Sequence, residues 1–329
     1  MGGAGSIERA FGSDVARITF PLKTGPRHVH CYVLRGDEGR ILVDTGLGLP
    51  GDDEAWRDLD VDAIVLTHMH PDHVGGAQRA AEATSALVHQ LELDYEQCVR
   101  VWGSADWPER MAAWFRSHGV PDAVADDLVE QGHAVAPFIR FVREPRLLRE
   151  GDRVDGWEVL WLPGHADGQI APLRDGVLVC GDILLAKISP AVGLYPESRP
   201  DPLGDYLGTL RRIVELGPSV AYPGHGEPVR NPADRARELL EHHRRRLEET
   251  QTALGPEPLT GYDVSMRLFG EDLSLTQRRF AVAETLSHLE RLVLTGAARR
   301  AGTSRVLAYT ATQLDDEIPP SSGAPGVGA

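Results

Sequence analysis

Four side chains able to ligate a metal stand within six residues in the run Thr67-His68-Met69-His70-Pro71-Asp72-His73, directly after the apolar stretch Ala63-Ile64-Val65-Leu66. Neutral imidazole and carboxylate are ligands that a borderline cation such as Zn2+ accepts, and a tight loop at the end of a short strand lets them converge. Left without partners, each buried polar group of such a cluster would cost roughly 2–7 kcal/mol. Further candidates recur at Leu162-Pro163-Gly164-His165, Val179-Cys180-Gly181-Asp182 and Tyr222-Pro223-Gly224-His225-Gly226. A divalent cation so held can bring the pKa of a bound water toward about 7, so that hydrolysis proceeds without a side-chain nucleophile. In keeping with this, the chain carries no Gly-x-Ser-x-Gly elbow.

These side chains need rigid supports, and the sequence supplies them. Each downstream candidate follows a strand-like segment, Trp157 to Leu162, Gly176 to Cys180 and Ser219 to Tyr222. Ligands at several strand ends are how a sheet holds a metal cage, with Gly and Pro permitting the sharp turns that aim them.

The full pattern, His-x-His-x-Asp-His followed by His, Asp and His and preceded by Leu42-Val43-Asp44-Thr45-Gly46, resembles the metallo-β-lactamase-fold hydrolase superfamily over roughly residues 15–245. The resemblance implies an α/β (α+β) fold, an αββα sandwich holding two metals. His68, His70 and His165 would hold the first, Asp72, His73 and His225 the second, and Asp182 would bridge them, with Asp44 as a supporting residue. Two Zn2+ are the expected cofactors, although the same ligands accept Fe or Mn. Asp182 stands where the β-lactamases of the family usually carry Cys, which directs expectation away from antibiotic hydrolysis. The expected reaction is hydrolysis of an ester, thioester or lactone of a small acyl substrate, as in glyoxalase II-like members. Asp72 would be both ligand and proton shuttle, and Asp182 would hold the shared hydroxide. An iron-dependent sulfur dioxygenase, which uses a sparser His-His-Asp site, is a further alternative from the same superfamily.

The chain of 329 residues divides by pattern into a flexible N-terminus (1–14), a catalytic domain (15–252), a linker (253–260), a small domain (261–312) and a disordered tail (313–329). A long helical pattern from Pro232 to Thr250 ends at the breaker cluster Ala253-Leu254-Gly255-Pro256-Glu257-Pro258. A short helix to Leu268, a helix from Leu275 to Leu294, and strands at Gly296–Arg300 and Val306–Tyr309 then resemble a winged helix. Such a module trails the metal domain in the β-lactamase-like protein 2 branch, which is associated with cleavage of single-stranded RNA. The net charge of −15 argues against broad nucleic-acid binding. Residues 261–310 nonetheless carry seven Arg against five acids, so contact with nucleic acid through Arg299 and Arg300 is the alternative, and packing or homodimer formation is the plainer role.

The insertion between the metal loop and His165 is rich in aromatics, with Trp107, Met111, Trp114 and Phe115 at helical spacing. Tyr195 in the segment Ile188–Tyr195, and His30 at a strand end, are candidates for the substrate pocket. His242 and His243 lie among Arg244, Arg245, Arg246 and flanking glutamates, which reads as a solvated, ion-paired helix face. Gly46-Leu47-Gly48-Leu49-Pro50-Gly51 fits a dinucleotide motif, but Pro50 stands where a helix should open, so a plain turn is expected. Cys31, Cys98 and Cys180 are too few for a disulfide framework. With no secretory segment and no membrane span, a cytoplasmic location is expected, and the use of Arg over Lys suits a GC-rich bacterial genome.

Overall fold

The structure is a computed structural model that describes residues 8–11, 14–23, 25–302 and 306–312. Most of the expected flexible N-terminus, the wing residues 303–305 with Arg305, and the expected tail 313–329 lie outside the described residues.

Two sheets form the centre. The first follows chain order: β1 (Glu8–Phe11), β2 (Val15–Pro21), β3 (His28–Arg35), β4 (Arg40–Val43), β5 (Ala63–Val65), β6 (Leu87–Leu91) and β7 (Arg146–Leu148). It is antiparallel from β1 to β4 and parallel from β4 to β7. The second contains β8 (Arg153–Val154), β9 (Trp157–Trp161), β10 (Ile170–Arg174), β11 (Val177–Gly181) and β12 (Val220–Pro223), with β12 parallel to β11 and the other pairs antiparallel. Strand periodicity assigns each side chain to a face. Ile41, Val43, Ala63 and Val65 meet Trp157, Val159, Ile170 and Val179 between the sheets. Their neighbours Leu42 and Ile64 turn outward with Ile18, Phe20, Trp56 and Ala77. On the second sheet Leu160, Leu178, Cys180 and Ala221 turn outward against Tyr206, Leu210, Ile213 and Leu239.

Helices close both outer faces. The first sheet is covered in part by α1 (Asp53–Trp56), α2 (Pro71–Val74) and α3 (Ala77–Thr84), and the insertion forms α4 (Glu92–Val101), α5 (Trp107–Ser117) and α6 (Asp122–Val135). The second is covered by α7 (Pro202–Leu216) and α8 (Pro232–Ala253). The result is the expected αββα sandwich.

The C-terminal residues contain α9 (Gly261–Phe269), α10 (Leu275–Leu294), β13 (Leu259–Thr260), β14 (Ala298–Gly302) and β15 (Leu307–Ala311), with β15 between the other two strands. Three details differ from the sequence reading. The stretch 253–260 carries strand β13 as well as a bend, because buried Leu254 and partly buried Leu259 both join an apolar core. That core unites Met111, Phe115 and Val120 of the insertion with Val264, Leu286, Leu289 and Tyr309, so the aromatic insertion and the C-terminal helices are packed as one layer. Residues 8–11 pair with β2 and are strand, not free chain. Among the described residues no helix is long and apolar enough to cross a membrane.

Candidate metal centre

The candidate ligands stand where strands end and turns begin. After β5, Thr67 and His68 continue the chain into the one-turn helix α2, opened by Pro71, whose fixed φ suits the first helical position. His70 stays extended as the N-cap, while Asp72 and His73 lie on α2 itself. This helix is held close beneath the turn after β4: Thr45 N–H donates to His73 O at 2.9 Å and Gly76 N–H to Gly46 O at 3.1 Å. Gly48 has φ +72°, and a Cβ there would lie 2.8 Å from Gly75 O, so the glycine-rich run is a turn required by close packing and no helix opens at Pro50. His165 follows Gly164, whose φ is +134° and whose Cβ would lie 2.4 Å from Tyr206 Cα. Asp182 and His225 follow the ends of β11 and β12.

All seven candidates converge. The ligand atoms of His68, His70 and His165 lie within 4.8 Å of one another, as do those of His68, His73 and Asp182, and those of Asp72, His73 and His225. Asp182 lies between the histidine groups, its Oδ2 3.7 Å from His165 Nε2 and 3.1 Å from His225 Nε2, its Oδ1 3.6 Å from His73 Nε2. Asp72 Oδ2 is 3.3 Å from His225 Nε2. His73 Nε2, His165 Nε2 and Asp182 Oδ1 are buried without a hydrogen-bond partner. Lone pairs left unpaired around one point are what a cation requires, and this donor set of imidazoles and carboxylates fits divalent metal.

Surrounding groups fix which nitrogen faces the centre. His165 Nδ1 donates to Ala191 O at 2.7 Å and His225 Nδ1 to His28 O at 2.6 Å. His73 Nδ1 donates to Asp44 Oδ2 at 2.7 Å. Asp44, at φ +61°, also accepts from the Thr67 N–H at 2.7 Å and hydroxyl at 2.8 Å. The Thr67 oxygen then accepts from His68 Nδ1 at 2.9 Å. With Nδ1 so engaged, Nε2 is the nitrogen that each of these four imidazoles turns toward the centre.

Electrostatics agree. Burial, reinforced by neighbouring imidazoles, holds His68 well below its usual range and takes His70 to about 3, and burial also lowers His165. Burial would raise Asp72 and Asp182, but adjacent His73 and His225 outweigh it, placing Asp72 at about 2 and holding Asp182 well below the ordinary carboxylate range. For His73 and His225 burial is opposed by Asp182 above all, so both are raised, His225 to about 10. The carboxylates are therefore ionised and ready to accept cationic charge.

Two other candidates sit elsewhere than expected. His30 is 4% exposed; its Nδ1 accepts from the Thr19 hydroxyl and its Nε2 donates to Gly226 O, both at 3.0 Å, so it steadies the His225 loop and is too enclosed to touch substrate. Tyr195 packs edge-on to Phe115, 6.4 Å between ring centroids, where α5 meets α10, and makes no hydrogen bond to the seven ligands. Its segment matters in another way, since Ala191 orients His165 and Leu194 N–H bonds to Ala283 O of α10. His243 lies fully buried against His288 and Tyr206, contrary to the solvated face expected, because α10 covers that side of α8. Its neighbour Arg244 does pair with Glu241 and Glu248 on the exposed side. Sequence reasoning missed Asp94 and Trp102, which grip the metal loop from α4. An acid at helical spacing from the apolar Leu91, Cys98 and Val101 was the available signal.

Comparison with known proteins accords with this geometry. The family described as Metallo-beta-lactamase superfamily matches residues 24–225, and that described as Metallo-beta-lactamase-like, C-terminal domain matches residues 247–312. Over 310 residues the chain is 29% identical to a probable metallo-hydrolase, YqjP, of Bacillus subtilis, covering 85% of this chain and 92% of the relative. A beta-lactamase-like protein 2 homolog of Drosophila melanogaster is 25% identical over 252 residues, 74% of this chain and 72% of that one. The crystal structure of a metallo-beta-lactamase family protein from Thermus thermophilus aligns with TM-score 0.77 at 35% identity, covering 91% of this chain and 99% of its own. That of a beta-lactamase domain protein from Burkholderia ambifaria aligns with TM-score 0.81 at 28% identity, covering 95% and 96%. The chain therefore belongs to the metallo-beta-lactamase superfamily and is a metallo-hydrolase of that fold.

Proposed function

We propose that this metallo-hydrolase is dinuclear and cleaves an ester, thioester or lactone of a small acyl substrate. The observation that carries the reading is Asp182, a buried carboxylate within 3.7 Å of histidine nitrogens from both groups, with one oxygen left unpaired. His68, His70 and His165 would hold one cation, Asp72, His73 and His225 the other, with Asp182 shared. Zinc is the expected metal, with iron or manganese accepted by the same ligands. When bound, the pair of cations supplies a water of lowered pKa and positive charge for the oxygen of the substrate.

The residues of the chain do the rest. Asp72 is the more exposed of the two carboxylates, 23% against 9% for its side chain and that of Asp182, which supports a role in which it would take a proton at Oδ2 and return it to the leaving group. His73, together with His225, which is hydrogen-bonded through Nδ1 to His28 O, keeps Asp72 ionised.

The arginines of the C-terminal residues favour this reading over RNA cleavage. Arg278 is buried and donates to Gly270 O, Arg291 pairs with Asp201 at 2.6 Å, and Arg300 pairs with Glu290. Three of the six described arginines from 261 onward are so engaged, and Arg299 Nε donates to the Thr310 hydroxyl, which leaves less free positive charge for a phosphate backbone. The complete set of seven ligands likewise favours two metals over the sparser site of a sulfur dioxygenase.

Substituting His68→Ala tests the proposal. The variant should lose bound metal and turnover of thioester, aryl ester or lactone substrates while keeping its circular dichroism spectrum; full activity would sink it. Single-stranded RNA serves as the competing substrate in the same screen, and cleavage of RNA alone would replace the proposed substrate class.

A further inference from the structure

One buried acid has no part in the chemistry above. Asp94 on α4 is fully buried, and its Oδ1 accepts from the Met69 N–H at 2.9 Å while Oδ2 accepts from Gln90 Nε2 at 2.6 Å. At the C-cap that ends the same helix, Trp102 Nε1 donates to Met69 O at 2.8 Å. Met69 lies between His68 and His70, so side chains from one helix hold both the N–H and the C=O of the residue that separates two metal ligands.

The same face reaches the loop of His165. Gln97 Nε2 donates to Asp167 Oδ2 at 2.7 Å and to Glu197 O at 3.2 Å. Gly168 packs so tightly on Asp94 that a Cβ there would lie 2.5 Å from the Asp94 nitrogen. Asp94 keeps company with Leu91, Cys98 and Val101, where an apolar residue would ordinarily stand. Its burial is costly enough to push its carboxyl up to about 7.

We infer that α4 sets the geometry of the three-histidine half of the metal centre: Asp94 and Trp102 fix the backbone between His68 and His70, Gln97 fixes the loop of His165, and the rigid helix sets the spacing between the two loops. Asp94, Trp102 and Gln97 are positioning residues that touch neither metal nor substrate. The inference rests on the metal reading proposed above.

Full-length Asp94→Ala, Asp94→Asn and Trp102→Phe chains test it with Co2+ and Zn2+. Affinity is read by competition with a chromophoric chelator, and ligand geometry by the visible d–d bands of Co2+. Loss of such supporting groups typically costs about 10–100-fold in metal affinity. Asp94→Ala and Trp102→Phe should therefore bind at least about tenfold more weakly, with displaced Co2+ bands. The Asn amide can still accept from Met69 N–H and can donate to the unpaired Gln90 Oε1, so Asp94→Asn should recover the wild-type affinity and spectrum. Folded Ala and Phe variants with wild-type affinity and bands would overturn the inference and reduce α4 to packing, as would an Asn variant as weak as Ala. Should Asp94→Ala not fold, Trp102→Phe decides: it keeps an aromatic ring at this partly buried position and loses the indole N–H, and displaced Co2+ bands in a chain of wild-type thermal stability separate the lost hydrogen bond from lost packing. A wild-type chain that takes up no Co2+ or Zn2+ would overturn the metal reading itself, and this inference with it.

Discussion

Replacing Asp44 by Asn exchanges one oxygen for an amide nitrogen and should disarm two metal ligands together. A carboxylate only accepts, so Asp44 forces His73 to carry its proton on Nδ1, and it draws the Thr67 hydroxyl proton so that the Thr67 oxygen accepts from His68 Nδ1. With an amide nitrogen at the Oδ2 position both relations reverse. The amide donates to His73 Nδ1 and to the Thr67 oxygen, Thr67 donates to His68 Nδ1, and both imidazoles move their protons to Nε2, the atoms that face the centre. The backbone is undisturbed, since Asn adopts φ near the +61° of Asp44 as readily as Asp does. Losing one such orienting partner costs about tenfold or more in affinity, or about 1.4 kcal/mol. His68 and His73 serve different cations in the proposed assignment, so each site weakens about tenfold and loading of both about a hundredfold. Competitive titration with a chromophoric chelator measures this, alongside thermal unfolding of the metal-free chain, which should move to lower temperature because Asp44 is one of the carboxylates that hold buried His73 in its cationic form. Affinity for both metals within about threefold of wild type, far less than loss of an orienting partner costs, would refute the chain of donors.

Other consequences are open to direct measurement. Gly164→Ala places a methyl 2.4 Å from Tyr206 Cα at φ +134°, so overpacking should cost about 1–3 kcal/mol and lower the melting temperature by several degrees, with His165 displaced; an unchanged melting temperature contradicts the packing described. Burial, reinforced between the two rings, lowers His243 to about 3 and burial takes His288 to about 4, both below the ordinary value of 6.5. The unfolded chain therefore binds more protons, and the stability these two neutral rings contribute is complete above pH 6.5 and is lost as pH falls toward 4 and 3. Denaturant titrations across that interval should show a steeper loss for wild type than for His243→Leu/His288→Leu, and equal slopes would show that the pair does not titrate this way.

The metal loop was legible because its chemistry is crowded into one short run and because strand-like segments precede every other ligand. Asp44 was legible through the resemblance, but its reason, the proton arrangement on His68 and His73, needed Thr67 in place. What failed to read were relations between distant segments. His30 stands near a strand end, as does a ligand, yet Thr19 on the neighbouring strand and Gly226, far away in sequence, occupy both its nitrogens. The run of arginines and glutamates around His243 describes one side of α8, and only the arrival of α10 shows that the other side is buried. Gly255, Pro256 and Pro258 correctly mark a bend, but the two-residue strand that follows is defined by pairing with Tyr309 and Ala308, some fifty residues on. Asp94 carries no motif, and its partner is a backbone N–H that has no signature in sequence.

The central claim is a two-metal centre made by seven residues, and metal stoichiometry tests it most directly. The purified chain, stripped with chelator and titrated with Zn2+, should take up two equivalents per chain, falling to one or fewer when Asp182 is replaced by Ala, and hydrolytic activity should return with the metal. One equivalent in the wild type, or two in the Asp182→Ala variant, would contradict the account.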